Sequence, residues 1–147
     1  MARTLMLDTT YLLPLFGIDV PLQRYPEVFP KLIAKHEVWY SPLSLVEAKW
    51  IILKLVRRDV GKREAYLEKY RRGLGVLFAH SRLRQTELTT PQTEYEADEL
   101  LRKVSDYFDR MIYATAKQLG STLISEDRVL KALDGVISWD ELIQRFT

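Results

Sequence analysis

Four carboxylates stand in this sequence where a side chain of that kind is costly to place. The run "TLML", residues 4 to 7, is apolar and short enough for a buried strand, yet it stops at Asp8 before a second apolar run, "TTYLLPLF", begins. Glu47 lies inside "LSLVEAKWII", which is apolar nearly all round when wound as a helix, so it faces the interior or a cleft. Asp109 shares a helical stripe with Ile112 and Ala116, three and seven residues on, which turns it along a buried face. Asp127 follows "TLIS", with Ser125 and Glu126 beside it. A carboxylate taken out of water needs a partner. Each has an ordinary one available: a helix N-cap role for Asp8 and Asp127, Lys54 or an arginine for Glu47, an arginine for Asp109.

Taken together, the four ask for something else. Like charges gathered in one crevice repel unless a cation neutralises them. The sequence has no cysteine and only two histidines, His36 and His80, so a bound metal must rest mainly on oxygen ligands, which points to Mg²⁺ or Mn²⁺. One such ion, or two about 4 Å apart, activates water and stabilises a pentavalent phosphate.

The elements that would position these acids alternate. Strands are expected at "TLML", "EVWYS", "TELTTP", "STLIS" and "GVIS". "TTYLLPLF" reads as a short helix capped by Asp8 or Thr9, and residues 17 to 36 as loop plus a short helix ending near His36. Ser41 and Pro42 open a long helix to about Arg58, and a basic helix follows Gly61 toward residue 78, weakened at its end by Gly73 and Gly75. Thr90 and Pro91 open a helix through about Val104, and Ser105 caps another that stops at Gly120. "EDRVLKAL" gives a helical turn and "WDELIQRF" a terminal helix. This order predicts one α/β domain over residues 1–147, with a mainly parallel sheet and helices on both faces. Ligands bind such sheets at the carboxyl ends of the strands, where Asp8 and Asp127 fall.

The chain has 147 residues, 47% of them hydrophobic, enough for a real core. Its most apolar long segment, "PLSLVEAKWIILKLV", carries Glu47, Lys49 and Lys54 and is shorter than the roughly 20 apolar residues of a membrane span. The opening residues do not resemble a signal peptide, so an intracellular, cytoplasmic location is expected. The net charge of +2 is unevenly spread. Residues 49 to 84 hold eleven Lys or Arg against three acids, and residues 85 to 109 hold seven acids against two bases. Such polarity could hold phosphates on one side, although a solvated helix face is the commoner reason for runs like "VRRDVGKRE".

The sequence resembles the PIN domain family, and within it the VapC-type toxins and related archaeal proteins. The resemblance is carried by "LDTTYLL" with Asp8, "SPLSLVEAKW" with Glu47, "DYFDRMIYATAKQLG" with Asp109, and "LISEDRVL" with Asp127, in that order along essentially the whole chain. It implies a doubly wound sheet of order 3-2-1-4-5 and a Mg²⁺- or Mn²⁺-dependent endoribonuclease that leaves 5′-phosphate and 3′-hydroxyl ends. Asp8, Glu47, Asp109 and Asp127 would be the catalytic, metal-binding acids. Ser125 would be the small hydroxyl residue that helps hold the site, and Thr9 a secondary one. Asp106 is better explained as a first-turn acid favoured by the helix dipole, and Glu126 as a more exposed neighbour. The resemblance further implies an RNA substrate, a small antitoxin as partner and a homodimer. Trp39, Trp50 and the apolar sweep of residues 42 to 56 could serve such interfaces, though core packing suits most of those side chains. The basic stretch from Arg57 to Arg72 could hold RNA backbone.

Other classes fit less well. A haloacid-dehalogenase-like phosphatase needs a D-x-D pattern, and "LDTTY" has threonine at the second acid. A response-regulator receiver needs paired acids before its first helix and a lysine after its last strand. A non-catalytic PIN-type binding module would lack one of the four acids. A toxin and a housekeeping RNA-processing nuclease would share them all.

Overall fold

Successive side chains of the central strands point to opposite faces of the sheet, and both faces are buried. In the computed structural model, which describes residues 3–146, β1 (Thr4–Leu7) turns Leu5 and Leu7 into one apolar cluster and Met6 into another. β4 (Thr122–Ile124) and β5 (Val136–Ile137) repeat the division, with Ile124 and Ile137 on the first side and Leu123 and Val136 on the second. A sheet buried on both faces is the habit of parallel strands joined by helical crossovers. With β2 (Glu37–Tyr40) and β3 (Leu83–Gln85), the five strands form one all-parallel sheet of order β3-β2-β1-β4-β5. The strand order expected from the family resemblance is the one observed.

Helices α1 (Tyr25–Lys35), α2 (Pro42–Arg58) and α3 (Arg63–Ala79) lie between β1 and β3, and α4 (Pro91–Glu99) and α5 (Tyr107–Gln118) between β3 and β4. The one-turn α6 (Arg128–Lys131) and the terminal α7 (Trp139–Phe146) complete the order. The larger cluster packs Tyr11, Phe16, Tyr25, Phe29 and Trp139 against the strands. The smaller one seats Ile112 and Ala116 of α5 on the opposite face. No helix among the described residues is long and apolar enough to cross a membrane.

Four boundaries differ from the sequence expectation, each for a local reason. "TTYLLPLF" forms two 3-10 turns, Thr9–Tyr11 and Leu13–Phe16, because Pro14, at the start of the second, has no N–H to carry one helix across Leu12, and Gly17 ends the second with a left-handed φ of 82°. β3 is Leu83–Gln85 and not "TELTTP": Leu83 pairs with Val38 and is buried, and beyond it only the Thr86 N–H continues the ladder, donating to Tyr40 O at 2.9 Å. α4 ends at Glu99 rather than Val104, because the chain turns there to bury Val104 in the smaller cluster. The cap of α5 is Asp106 rather than Ser105, its Oδ1 accepting from Asp109 N at 3.0 Å. The expected weakening of α3 at its glycines is not seen. The helix runs straight through Gly73, where a Cβ would collide with the Leu15 carbonyl and the Phe16 ring. That glycine marks a close approach of two segments rather than a helix end.

Candidate active site

The acids meet at the carboxyl edge of the sheet. Asp8 ends β1 with its N–H donating to Ile124 O at 3.1 Å, so its backbone belongs to the ladder while its side chain leaves the strand end. The carboxylate is buried and doubly held: Oδ1 accepts from Thr9 N at 2.8 Å and Oδ2 from Ser125 Oγ at 2.8 Å. Ser125 Oγ in turn accepts from Asp127 N at 3.0 Å, tying the loop after β4 to the end of β1. Asp127 caps α6, its Oδ1 accepting from Leu130 N at 3.0 Å. Asp8 and Asp127 are therefore helix caps, as their ordinary explanation requires, and they also line a common cleft.

Glu47 reaches this cleft from α2 and Asp109 from α5. Glu47 Oε1 accepts from Thr9 Oγ1 at 2.7 Å, so Thr9 joins two acids, one through its backbone and one through its hydroxyl. The basic partners anticipated for these two acids do not reach them. Among the described residues no ion pair involves Glu47 or Asp109, and Arg110 turns away to donate its Nη1 to Val104 O at 2.9 Å and Ser105 O at 2.7 Å. The cleft has a volume of about 450 Å³ and is walled by Thr10, Leu13 and Ile51 besides the acids.

Two further acids, Asp106 and Glu126, also line it. Asp106 is brought there by the same cap that starts α5, one turn before Asp109, and its three-residue spacing from Asp109 was the signal in the sequence. Glu126 is exposed yet anchored: its Oε2 accepts from Tyr11 OH at 2.6 Å and from Trp139 N at 2.9 Å. No local pattern announces that contact, because Tyr11 is 115 residues away.

Crowding shows in the acidities. Burial pushes the Asp8 carboxyl up against the opposing pull of the Ser125 and Thr9 hydrogen bonds. Burial does the same to Glu47, opposed by Thr9. Asp109 is raised from 3.8 to about 7, first by burial and then by the charges of Asp106, Asp8, Asp127 and Glu47. Among the described residues no three of these groups close around an ion as the side chains stand. Mg²⁺, however, binds through one or two carboxylates and keeps several waters, so an all-protein cage is not required. An all-oxygen donor set carrying unbalanced negative charge fits such a cation. His36 belongs elsewhere, its Nδ1 accepting from Arg3 N at 3.0 Å beside the start of β2.

A parallel sheet of this order with acids gathered at its carboxyl edge has clear relatives. The PIN domain family model matches residues 5–136, and the chain belongs to that family. No curated protein matches by sequence at a significant level. Among solved structures, PAE2754 from Pyrobaculum aerophilum superposes with a TM-score of 0.68 at 21% identity, over 99% of this chain and 97% of that one. VapBC2 from Rickettsia felis, bound to a DNA fragment from its promoter, gives 0.64 at 18% identity over 92% and 96%. VapC20 from Mycobacterium tuberculosis, a sarcin-ricin loop cleaving toxin, gives 0.56 at 16% identity over 87% and 94%.

Proposed function

We propose that this PIN domain protein is a metal-dependent endoribonuclease, acting in the cytoplasm as the toxin of a toxin-antitoxin pair. The observation that carries the reading is the gathering of Asp8, Glu47, Asp106, Asp109 and Asp127 on one cleft, with no cation of the chain's own paired to them among the described residues. Asp8, Glu47, Asp109 and Asp127 would hold Mg²⁺ or Mn²⁺, which supplies an activated water and charge stabilisation at the phosphate. The chain's own residues do the positioning. Ser125 fixes Asp8 and the Asp127 loop together, and Thr9 orients Glu47 toward the same space. The surplus negative charge repels a phosphodiester until it is neutralised, which makes cleavage depend on added cation. The toxin role, with a small antitoxin as partner, is supported by the likeness to toxins and toxin-antitoxin complexes; a homodimer is the assembly proposed from the family resemblance.

The test is cleavage of a mixed cellular RNA pool by the purified protein in Mn²⁺ or Mg²⁺, compared with EDTA and with Asp8→Asn. Asparagine can keep accepting from Thr9 N and donate to Ser125 Oγ, so the fold is retained while the charge is lost. Metal-dependent cutting that disappears in the variant establishes the nuclease. Undiminished cutting by Asp8→Asn would show that the site is elsewhere.

A further inference from the structure

Beside the acidic cleft lies an aromatic surface that packing does not explain. Trp50 follows Glu47 by one helical turn on α2 and is 53% exposed, a large apolar side chain left in water. It is nevertheless fixed. One face of its indole stacks on Phe108 of α5, with centroids 5.3 Å apart and planes at 15°. Phe108 is itself seated on the buried group Leu43, Ala97, Met111 and Ala114, and Tyr107 meets its edge at 6.3 Å. The outer region of the Trp50 ring therefore offers a rigid aromatic surface at the join of the two helices that supply Glu47 and Asp109.

The same face of α2 continues with cations. Lys54 is four residues beyond Trp50, and Arg57 and Arg58 are seven and eight beyond, which places the first about 6 Å and the pair about 11 Å further along the axis. All three are exposed, and none has an acidic partner within ion-pair distance among the described residues. The order along the face is thus carboxylate, exposed aromatic, free cations.

We infer that this face is a track for single-stranded RNA, with a base stacked on Trp50 and the neighbouring phosphates held by Lys54, Arg57 and Arg58. The inference rests on the nuclease reading and adds to it the residues that hold the strand and the side from which it enters. Charge decides the occupant: an apolar partner helix would meet a face that turns cationic after one aromatic, whereas a nucleic-acid strand presents a flat base and then phosphates. A base inside a duplex has both faces covered by its neighbours and cannot stack on the indole, so the strand is single.

Binding measured by fluorescence anisotropy tests this without any need for cleavage. A labelled ten-nucleotide single-stranded RNA and its duplex are titrated in EDTA at low salt with wild type, Trp50→Ala, Trp50→Phe and the double variant Arg57→Ala/Arg58→Ala. Trp50→Ala should weaken single-strand binding about 5- to 150-fold, while Trp50→Phe, which keeps an aromatic face, stays within about 3-fold of wild type. The double variant should lower the slope of log K against log salt by about 1.4, because two phosphates are no longer neutralised. Unchanged single-strand binding by Trp50→Ala, equal weakening on strand and duplex, or no measurable binding by wild type would each overturn the track. So would Trp50→Ala converting a dimer to a monomer in light scattering with RNA affinity unchanged, since the face would then hold a second copy. Failure of the nuclease reading appears separately, as absence of metal-dependent cleavage by wild type.

Discussion

The carboxylate cluster should weaken the metal-free fold at neutral pH, and Asp109→Asn is the perturbation that shows it. Asp109 has no protein hydrogen bond to its carboxylate among the described residues, so the amide removes charge without breaking a contact. In the folded protein its carboxyl titrates near 7 instead of 3.8, raised by burial and by four neighbouring acids. That difference corresponds to about 4 kcal/mol if unscreened. Asp109 is partly open to water, so about 1–2 kcal/mol is the expected effect after solvent screening. The sign follows from proton binding: between about 3.8 and about 7 the folded state holds a proton that the unfolded state has released, so stability falls as pH rises through that window. In EDTA at pH 8, Asp109→Asn should be more stable than wild type by about 1–2 kcal/mol, or about 2–8 °C in Tm for a chain of this size. Near pH 3.5, about where the unfolded carboxyl is also protonated, the two should melt together. Adding Mg²⁺ or Mn²⁺ at pH 8 should raise wild type more than the variant, because binding to the folded state stabilises it. Circular-dichroism melts at the two pH values read both effects. A variant less stable than wild type in EDTA at pH 8, or a gap independent of pH, would refute the reasoning.

Two other outcomes are expected. Ser125→Ala removes the donor to Asp8 Oδ2 and the acceptor for Asp127 N, so it should cost about 1–3 kcal/mol in urea unfolding and weaken metal-dependent cleavage; unchanged stability and cleavage would show that neither bond matters. Gly73→Ala should destabilise by about 1–3 kcal/mol through overpacking against Leu15 and Phe16, whereas Gly75→Ala, with open space at its Cβ, should be neutral or stabilising. Similar melting temperatures for the two alanine variants would contradict the close approach.

Much of the architecture was legible because it is written locally. Pro42 after Ser41 and Pro91 after Thr90 mark helix starts that the structure reproduces, with Ser41 Oγ accepting from Leu43 N and Thr90 Oγ1 from Thr93 N. Short apolar runs marked β1 and β4, since a strand buried on both faces needs no alternation. Boundaries failed where a distant partner decides them. β3 ends at Gln85 because its pairing with β2 does, and α4 stops short of Val104 because that side chain is drawn into a cluster built by Met6, Leu123 and Leu130.

The sequence by itself determined the alternation of strands and helices, and it placed Asp8 and Asp127 at strand ends. Periodicity and caps act over a few residues, and those features depend on nothing more distant. Only the tertiary structure decided what the acids meet. Thr9 reaches Glu47 across 38 positions, Ser125 reaches Asp8 across 117, and Tyr11 reaches Glu126 across 115. Asp106 joins the cleft as the cap of α5, and Trp50 of α2 is held at the surface by its stack on Phe108 of α5. Such contacts depend on how helices pack on the sheet, and that is set by the whole core at once.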